Sequence, residues 1–134
     1  TFSPGQTVYE VAKENGFYIP VLCHHGQIHP VGACRVCLVE VQGARSLVAS
    51  CAIPAENNMV VETSTDRVLA ARKLSVELLL TQGHHNCITC ENSGDCVLQD
   101  LAYSLGIESP RFTEPEKVKP LEQANEMIVR DTGK

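Results

Sequence analysis

Seven cysteines fall into two sets along this 134-residue chain. Cys23, Cys34, Cys37 and Cys51 are separated by gaps of ten, two and thirteen residues, and Cys87, Cys90 and Cys96 by gaps of two and five. Thiolates spaced this way are soft-metal ligands, and an odd total argues against complete pairing as disulfides. Four thiolates can hold a 2Fe–2S cluster, two on each iron. A structural zinc also takes four cysteines, usually as two C-x2-C pairs, but the first set contains one such pair. Buried cysteine without a ligand is a reading for isolated positions rather than for four in this order. Gly32 and Ala33 precede the pair, and small side chains let backbone N–H groups approach cluster sulfur.

The second set is one thiolate short of a cubane, which needs four protein ligands unless one iron stays open. His84 and His85 stand just upstream of Cys87, and imidazole is the nearest suitable donor. Three cysteines and one histidine also make an ordinary zinc set, so taken alone this motif leaves zinc and a 4Fe–4S cluster both open. Replacing a thiolate by a neutral imidazole makes the site one unit less negative, which favours the reduced form, as in Rieske centres.

The elements that must carry these residues divide the chain into three stretches, 1–64, 65–107 and 108–134. Thr7-Val8-Tyr9-Glu10 has the form of a capping box, predicting a helix over about 8–14 that stops at Asn15-Gly16. Residues 21–34 lack periodicity and read as a loop. Residues 37–41, 47–51 and 59–62 read as strands, with Gln42-Gly43 as a turn. Beyond Thr65, Val68, Leu69, Ala71, Leu74, Leu78 and Leu79 recur at helical spacing, predicting a helix over about 66–82. Its charged positions Arg67, Arg72, Lys73 and Glu77 are expected to be a solvated face or a subunit contact. Val97, Leu98, Leu101, Ala102 and Leu105 predict a further helix closed by Gly106. Pro110, Pro115 and Pro120, set among charges, predict an extended connector.

Composition narrows the function. With 43% hydrophobic residues, no Trp and 4% aromatics, the core is modest, so bound metal is expected to help hold the chain together. A net charge of −5, with basic residues scattered, argues against a nucleic-acid partner. No apolar run approaches the ~18 residues of a membrane span and no signal-like segment opens the chain, so membrane insertion and secretion are unsupported. A reducing, cytoplasmic setting follows as the default. No Ser/His/Asp arrangement, Gly-rich phosphate loop or paired acid suggests turnover, so the segment is not expected to be catalytic by itself.

The stretch from Cys23-His24-His25 through Gly32-Ala33-Cys34-Arg35-Val36-Cys37-Leu38-Val39-Glu40-Val41, followed by Ser50-Cys51 and Pro54, resembles a known domain. It is the 2Fe–2S domain that opens the large iron–sulfur subunit of respiratory complex I, FeFe-hydrogenases, NAD-linked formate dehydrogenase alpha subunits and the diaphorase-side small subunit of NAD-reducing hydrogenases. The resemblance implies an α+β chain in which a β-grasp 2Fe–2S ferredoxin-like domain precedes a small helical 4Fe–4S domain with one histidine and three cysteine ligands. Plant-type ferredoxins have a shorter first gap and match less well. In complex I subunits and FeFe-hydrogenases the histidine falls at the position of Gly83. The diaphorase-side subunits instead resemble Gly83-His84-His85-Asn86-Cys87, which implies His85 as the fourth ligand, with His84 as the alternative.

The same resemblance implies electron transfer through both clusters inside a multi-subunit NAD(P)-linked oxidoreductase, partnered by its other subunits or domains, among them a flavin/NAD(P)-binding one. It also implies that the first β-strand is missing ahead of Thr1 and that a further ferredoxin-like domain follows Lys134. A stand-alone ferredoxin-like carrier or a zinc-stabilised assembly module is the competing reading.

Overall fold

The computed structural model of the chain describes residues 2–82, 85–112, 122–125 and 127–130. It is α+β, and it divides into two compact units, Thr1–Val76 and Glu77–Lys134. No described helix is long and apolar enough to cross a membrane.

In the first unit, helix α1 (Val8–Glu14) begins with the expected capping box. The Thr7 hydroxyl accepts from the Glu10 amide at 3.2 Å, while the Glu10 carboxylate accepts from the Thr7 amide at 2.7 Å. These bonds, the backbone one foremost, hold the Glu10 carboxyl below its ordinary range. The helix closes at Asn15, where the Gly16 amide donates to Lys13 O and the Phe17 amide to Ala12 O, satisfying carbonyls of the last turn.

Strands β1 (Leu38–Val41), β2 (Val48–Ala49) and β3 (Val61–Glu62) form an antiparallel sheet of order β2-β1-β3. Leu38 pairs with Ala49 on one side of β1, and Val41 with Val61 on the other. The outer strands are shorter than their β-branched runs predict. β2 ends because the chain turns at Ser50–Ala52, with the Ala52 amide donating to Ala49 O. Val8, Ile19, Val39 and Ala49 form the core together with Cys37 and Cys51.

Helix α2 (Asp66–Leu80) runs from the first unit into the second, and the Thr65 hydroxyl caps it by accepting from the Val68 amide at 3.2 Å. Its buried face differs from the expected leucine stripe. Val68, Arg72, Val76 and Glu77 are buried, whereas Leu69, Leu74 and Leu78 are 41%, 40% and 48% exposed. Arg72 and Glu77 are therefore not a solvated face, because each has a polar partner far away in sequence. Arg72 donates to Leu38 O, and Glu77 accepts from Arg111.

The second unit contains the end of α2, a cysteine-bearing loop and helix α3 (Val97–Ser104), whose Leu101 and Ala102 are buried. Gly106, at φ +62°, takes the left-handed turn that lets its own amide reach Tyr103 O and the Ile107 amide reach Ala102 O. Strands β4 (Glu122–Asn125) and β5 (Ile128–Arg130) pair antiparallel in a stretch where the charges and prolines gave no strand signal.

Candidate metal centres

Cys37 lies in the turn that enters β1 and Cys51 in the turn that leaves β2. The Leu38–Ala49 pairing brings these two turns to the same end of the ladder. The two Sγ atoms approach to 3.2 Å, and both residues are buried, at 1% and 0% exposure. With metal–sulfur bonds of about 2.3 Å, two thiolates on one tetrahedral metal lie roughly 3.8 Å apart, so this pair needs to open only slightly to share an iron. Buried Ser50 fastens the arrangement, donating to Cys37 O from its hydroxyl at 2.8 Å and its amide at 3.1 Å.

Cys34 and Cys23 form the other half of the set, with the Cys34 amide donating to Cys23 Sγ at 3.5 Å. Burial raises the Cys34 thiol, but backbone hydrogen bonds from Val36, Cys23 and Leu22, with the Cys23 side chain, outweigh it and hold the thiol below its ordinary value. Cys51 goes the other way. It is pushed up to about 12, first by burial, then by its bond with Cys37 and by the charges of Cys37, Cys23 and Cys34. Cys51 thus feels the other three sulfurs, and a bound cation at this site would favour the thiolate forms.

The loop that carries the first pair is tightly built. Gly32 is buried at φ +62°, and a Cβ there would stand 3.0 Å from Ala49 Cβ, so both backbone conformation and space require glycine. Arg35, between the two cysteines, is also left-handed at φ +57° and points to the exposed side. The neighbouring histidines have other roles: the His24 ring packs on Tyr9 at 4.7 Å, and His25 Nδ1 accepts from the Gln27 amide.

In the second unit, His85, Cys87, Cys90 and Cys96 line a single cavity of about 540 Å³, with Leu80, Leu98, Tyr103 and Ile107 as apolar walls. Short turns hold the loop, the Thr89 amide donating to Asn86 O and the Ser93 amide to Cys90 O. The Gly94 amide donates to the Gln99 side chain at 2.9 Å, tying the loop to α3. Cys96 stands at the N-cap of α3, where its carbonyl accepts from Asp100. One ring nitrogen of His85, Nε2, bonds to Gln82 O at 2.7 Å. A carbonyl partner fixes the imidazole tautomer and leaves the lone pair on the other nitrogen. His84, the alternative donor, lies outside the described residues, as does Gly83.

All seven cysteines are free thiols. Among the described residues, no three His, Cys, Asp or Glu side chains converge on one point as a single ion requires. The inward placement of Arg72 and Glu77 is not legible along the helix, because their partners, Leu38 O and Arg111, lie 34 residues away in each case.

Comparison with known proteins fits this two-part arrangement. Residues 1–66 match the family described as the 2Fe–2S iron–sulfur cluster binding domain, and residues 72–111 match the NADH-ubiquinone oxidoreductase-G iron–sulfur binding region, a 4Fe–4S region. The chain is 40% identical over 86% of its length to an NADH-quinone oxidoreductase subunit of Rickettsia typhi, spanning 17% of that protein. It is 38% identical over 96% of its length to the gamma subunit of the NAD-reducing hydrogenase HoxS of Cupriavidus necator, spanning 54% of it. Against the NADP-reducing hydrogenase subunit HndD of Solidesulfovibrio fructosivorans it is 38% identical over 97% of its length, spanning 23% of that protein. The chain thus spans about half or less of the length of these relatives. A crystal structure of NAD+-reducing [NiFe]-hydrogenase in the H2-reduced state superposes with a TM-score of 0.83 at 38% identity, covering 94% of this chain and 53% of that one. The chain therefore carries, in this order, a 2Fe–2S iron–sulfur cluster binding domain and an NADH-ubiquinone oxidoreductase-G iron–sulfur binding region.

Proposed function

We propose that this chain is an electron-relay segment of a multi-subunit NAD(P)-linked oxidoreductase of the hydrogenase, formate dehydrogenase or NADH dehydrogenase type, and that it turns over no substrate itself. In this reading Cys23, Cys34, Cys37 and Cys51 hold the 2Fe–2S cluster, and His85, Cys87, Cys90 and Cys96 hold the 4Fe–4S cluster, with His84 as the alternative histidine. The observation that carries it is the placement of one complete candidate ligand set in each compact unit. A relay needs separate centres, each enclosed by its own protein shell.

When bound, each cluster accepts and releases one electron at a time; the protein positions it and shields it. Cys37 and Cys51 present paired thiolates from the buried end of the β1–β2 ladder. Cys23 and Cys34 complete the set from the loop, where backbone amides are turned toward sulfur.

Residues 1–64 are read as a β-grasp 2Fe–2S domain, residues 65–107 as a helical 4Fe–4S domain, and residues 108–134 as a connector. The partners are the other subunits of the same enzyme, among them one that binds flavin and NAD(P). The setting is read as reducing and cytoplasmic, where cysteine sets serve as metal ligands.

The test is made in the intact oxidoreductase. Cys34→Ser should abolish the 2Fe–2S signal and Cys90→Ser the cubane signal. Loss of a cluster on the main route should cut electron flow between distant sites while dye-linked chemistry at the catalytic site survives. Full physiological activity with both clusters shown to be absent would refute the relay.

A further inference from the structure

Arg72 stands out among the charged residues of the first unit. It is 5% exposed, and its Nε and Nη2 atoms donate to the same acceptor, Leu38 O, at 3.1 and 2.8 Å. Leu38 immediately follows Cys37, whose own carbonyl is already held by Ser50. Neither ion pair formed among the described residues includes Arg72; these join Arg67 to Glu40 and Arg111 to Glu77. A buried guanidinium is costly to desolvate, and one neutral carbonyl does not compensate a full charge. Burial accordingly pulls the Arg72 pKa down, while the charges of Cys37 and then of Tyr18 act to raise it, so Cys37, next to the bonded Leu38, is one of the two groups this cation faces.

A cluster held by four thiolates carries net negative charge, and reduction by one electron adds another unit. A fixed cation nearby stabilises the reduced state more than the oxidised one, because the attraction scales with the charge it faces. We propose that Arg72 is a positioning and charge-compensating residue for the first site: from α2 it braces the Leu38–Val39 peptide, one residue beyond Cys37, and holds the reduction potential of the 2Fe–2S centre up. The inference rests on the ligand assignment proposed above and adds to it a residue outside the cysteine motif.

The experiment is a dithionite redox titration of the full, cluster-loaded chain followed by EPR, with the 4Fe–4S centre as internal reference. Arg72→Gln keeps a donor for Leu38 O and removes the charge; Arg72→Met removes both; Arg72→Lys keeps the charge. In the two neutral variants the ratio of reduced to oxidised 2Fe–2S centre at a fixed potential should fall by about tenfold, equivalent to ~59 mV for a one-electron couple. Arg72→Lys should stay close to the parent, and the cubane should not move in any variant. An unchanged 2Fe–2S potential in whichever neutral variant keeps its cluster would overturn the proposal. If neither neutral variant keeps the cluster, retention in Arg72→Lys would support the charge requirement, and loss there as well would overturn it in favour of guanidinium geometry. A parent chain with no 2Fe–2S signal would contradict the proposed function instead.

Discussion

The two candidate centres are built in opposite ways. In the first unit two of the four candidate ligands are part of the core: Cys37 and Cys51 are buried beside Val39 and Ala49, and a strand register brings their turns together, while Cys34 is half-buried and Cys23 exposed. In the second, Cys90 and His85 are exposed and Cys87 and Cys96 half-buried, lining a cavity whose loop is held by short turns and one bond to Gln99. The first centre is thus preorganised by the fold, so much of its ordering cost is already met by apolar packing. The second has few buried apolar contacts in its loop, and metal binding there supplies folding free energy as well as redox chemistry.

This contrast can be broken most forcefully by removing iron. Chelation under anaerobic conditions should leave amide protection in β1 and β2 largely intact, while protection of residues 85–96 collapses by about a hundredfold or more. Hydrogen exchange with and without iron checks this, and equal loss in both regions would erase the distinction. A smaller effect, confined to the first unit, is expected from Gly32→Ala. The left-handed conformation and the 3.0 Å approach to Ala49 Cβ should cost about 1–3 kcal/mol and lower 2Fe–2S occupancy while sparing the cubane. Cluster-resolved EPR after matched reconstitution reads the difference. Smaller again is Arg111→Met, which withdraws the guanidinium bonded to the buried Glu77 carboxylate. Because the Arg111 side chain is itself 65% exposed, solvent screens the pair and the loss should be modest, seen as slightly earlier thermal unfolding around α2 and α3 without change in the 2Fe–2S signal.

What was legible in the sequence was what is local. The Thr7–Glu10 box, the stop at Asn15 and the closure at Gly106 all depend on residues within one turn of each other, and each is found where the pattern put it. The cysteine spacings were legible for a different reason, since ligand type and gap length carry metal chemistry directly. The buried face of α2 was not. Leucines at helical spacing suggested one stripe, but Arg72 and Glu77 are drawn inward by acceptor and donor groups 34 residues distant, which no window over the helix contains. The β4–β5 pairing was hidden likewise, among charges that signal neither strand nor core. Choosing between His84 and His85 rested on resemblance, and the bond from His85 to Gln82 O adds a physical reason for a fixed imidazole at that position.

The claim that both cysteine sets hold iron–sulfur clusters is tested most directly by metal and sulfide analysis of the anaerobically purified chain, read together with EPR after reduction. We expect about six irons and six sulfides per chain, the sum of one 2Fe–2S and one 4Fe–4S centre, with two distinguishable reduced-state signals. Stoichiometric zinc with negligible iron would contradict it.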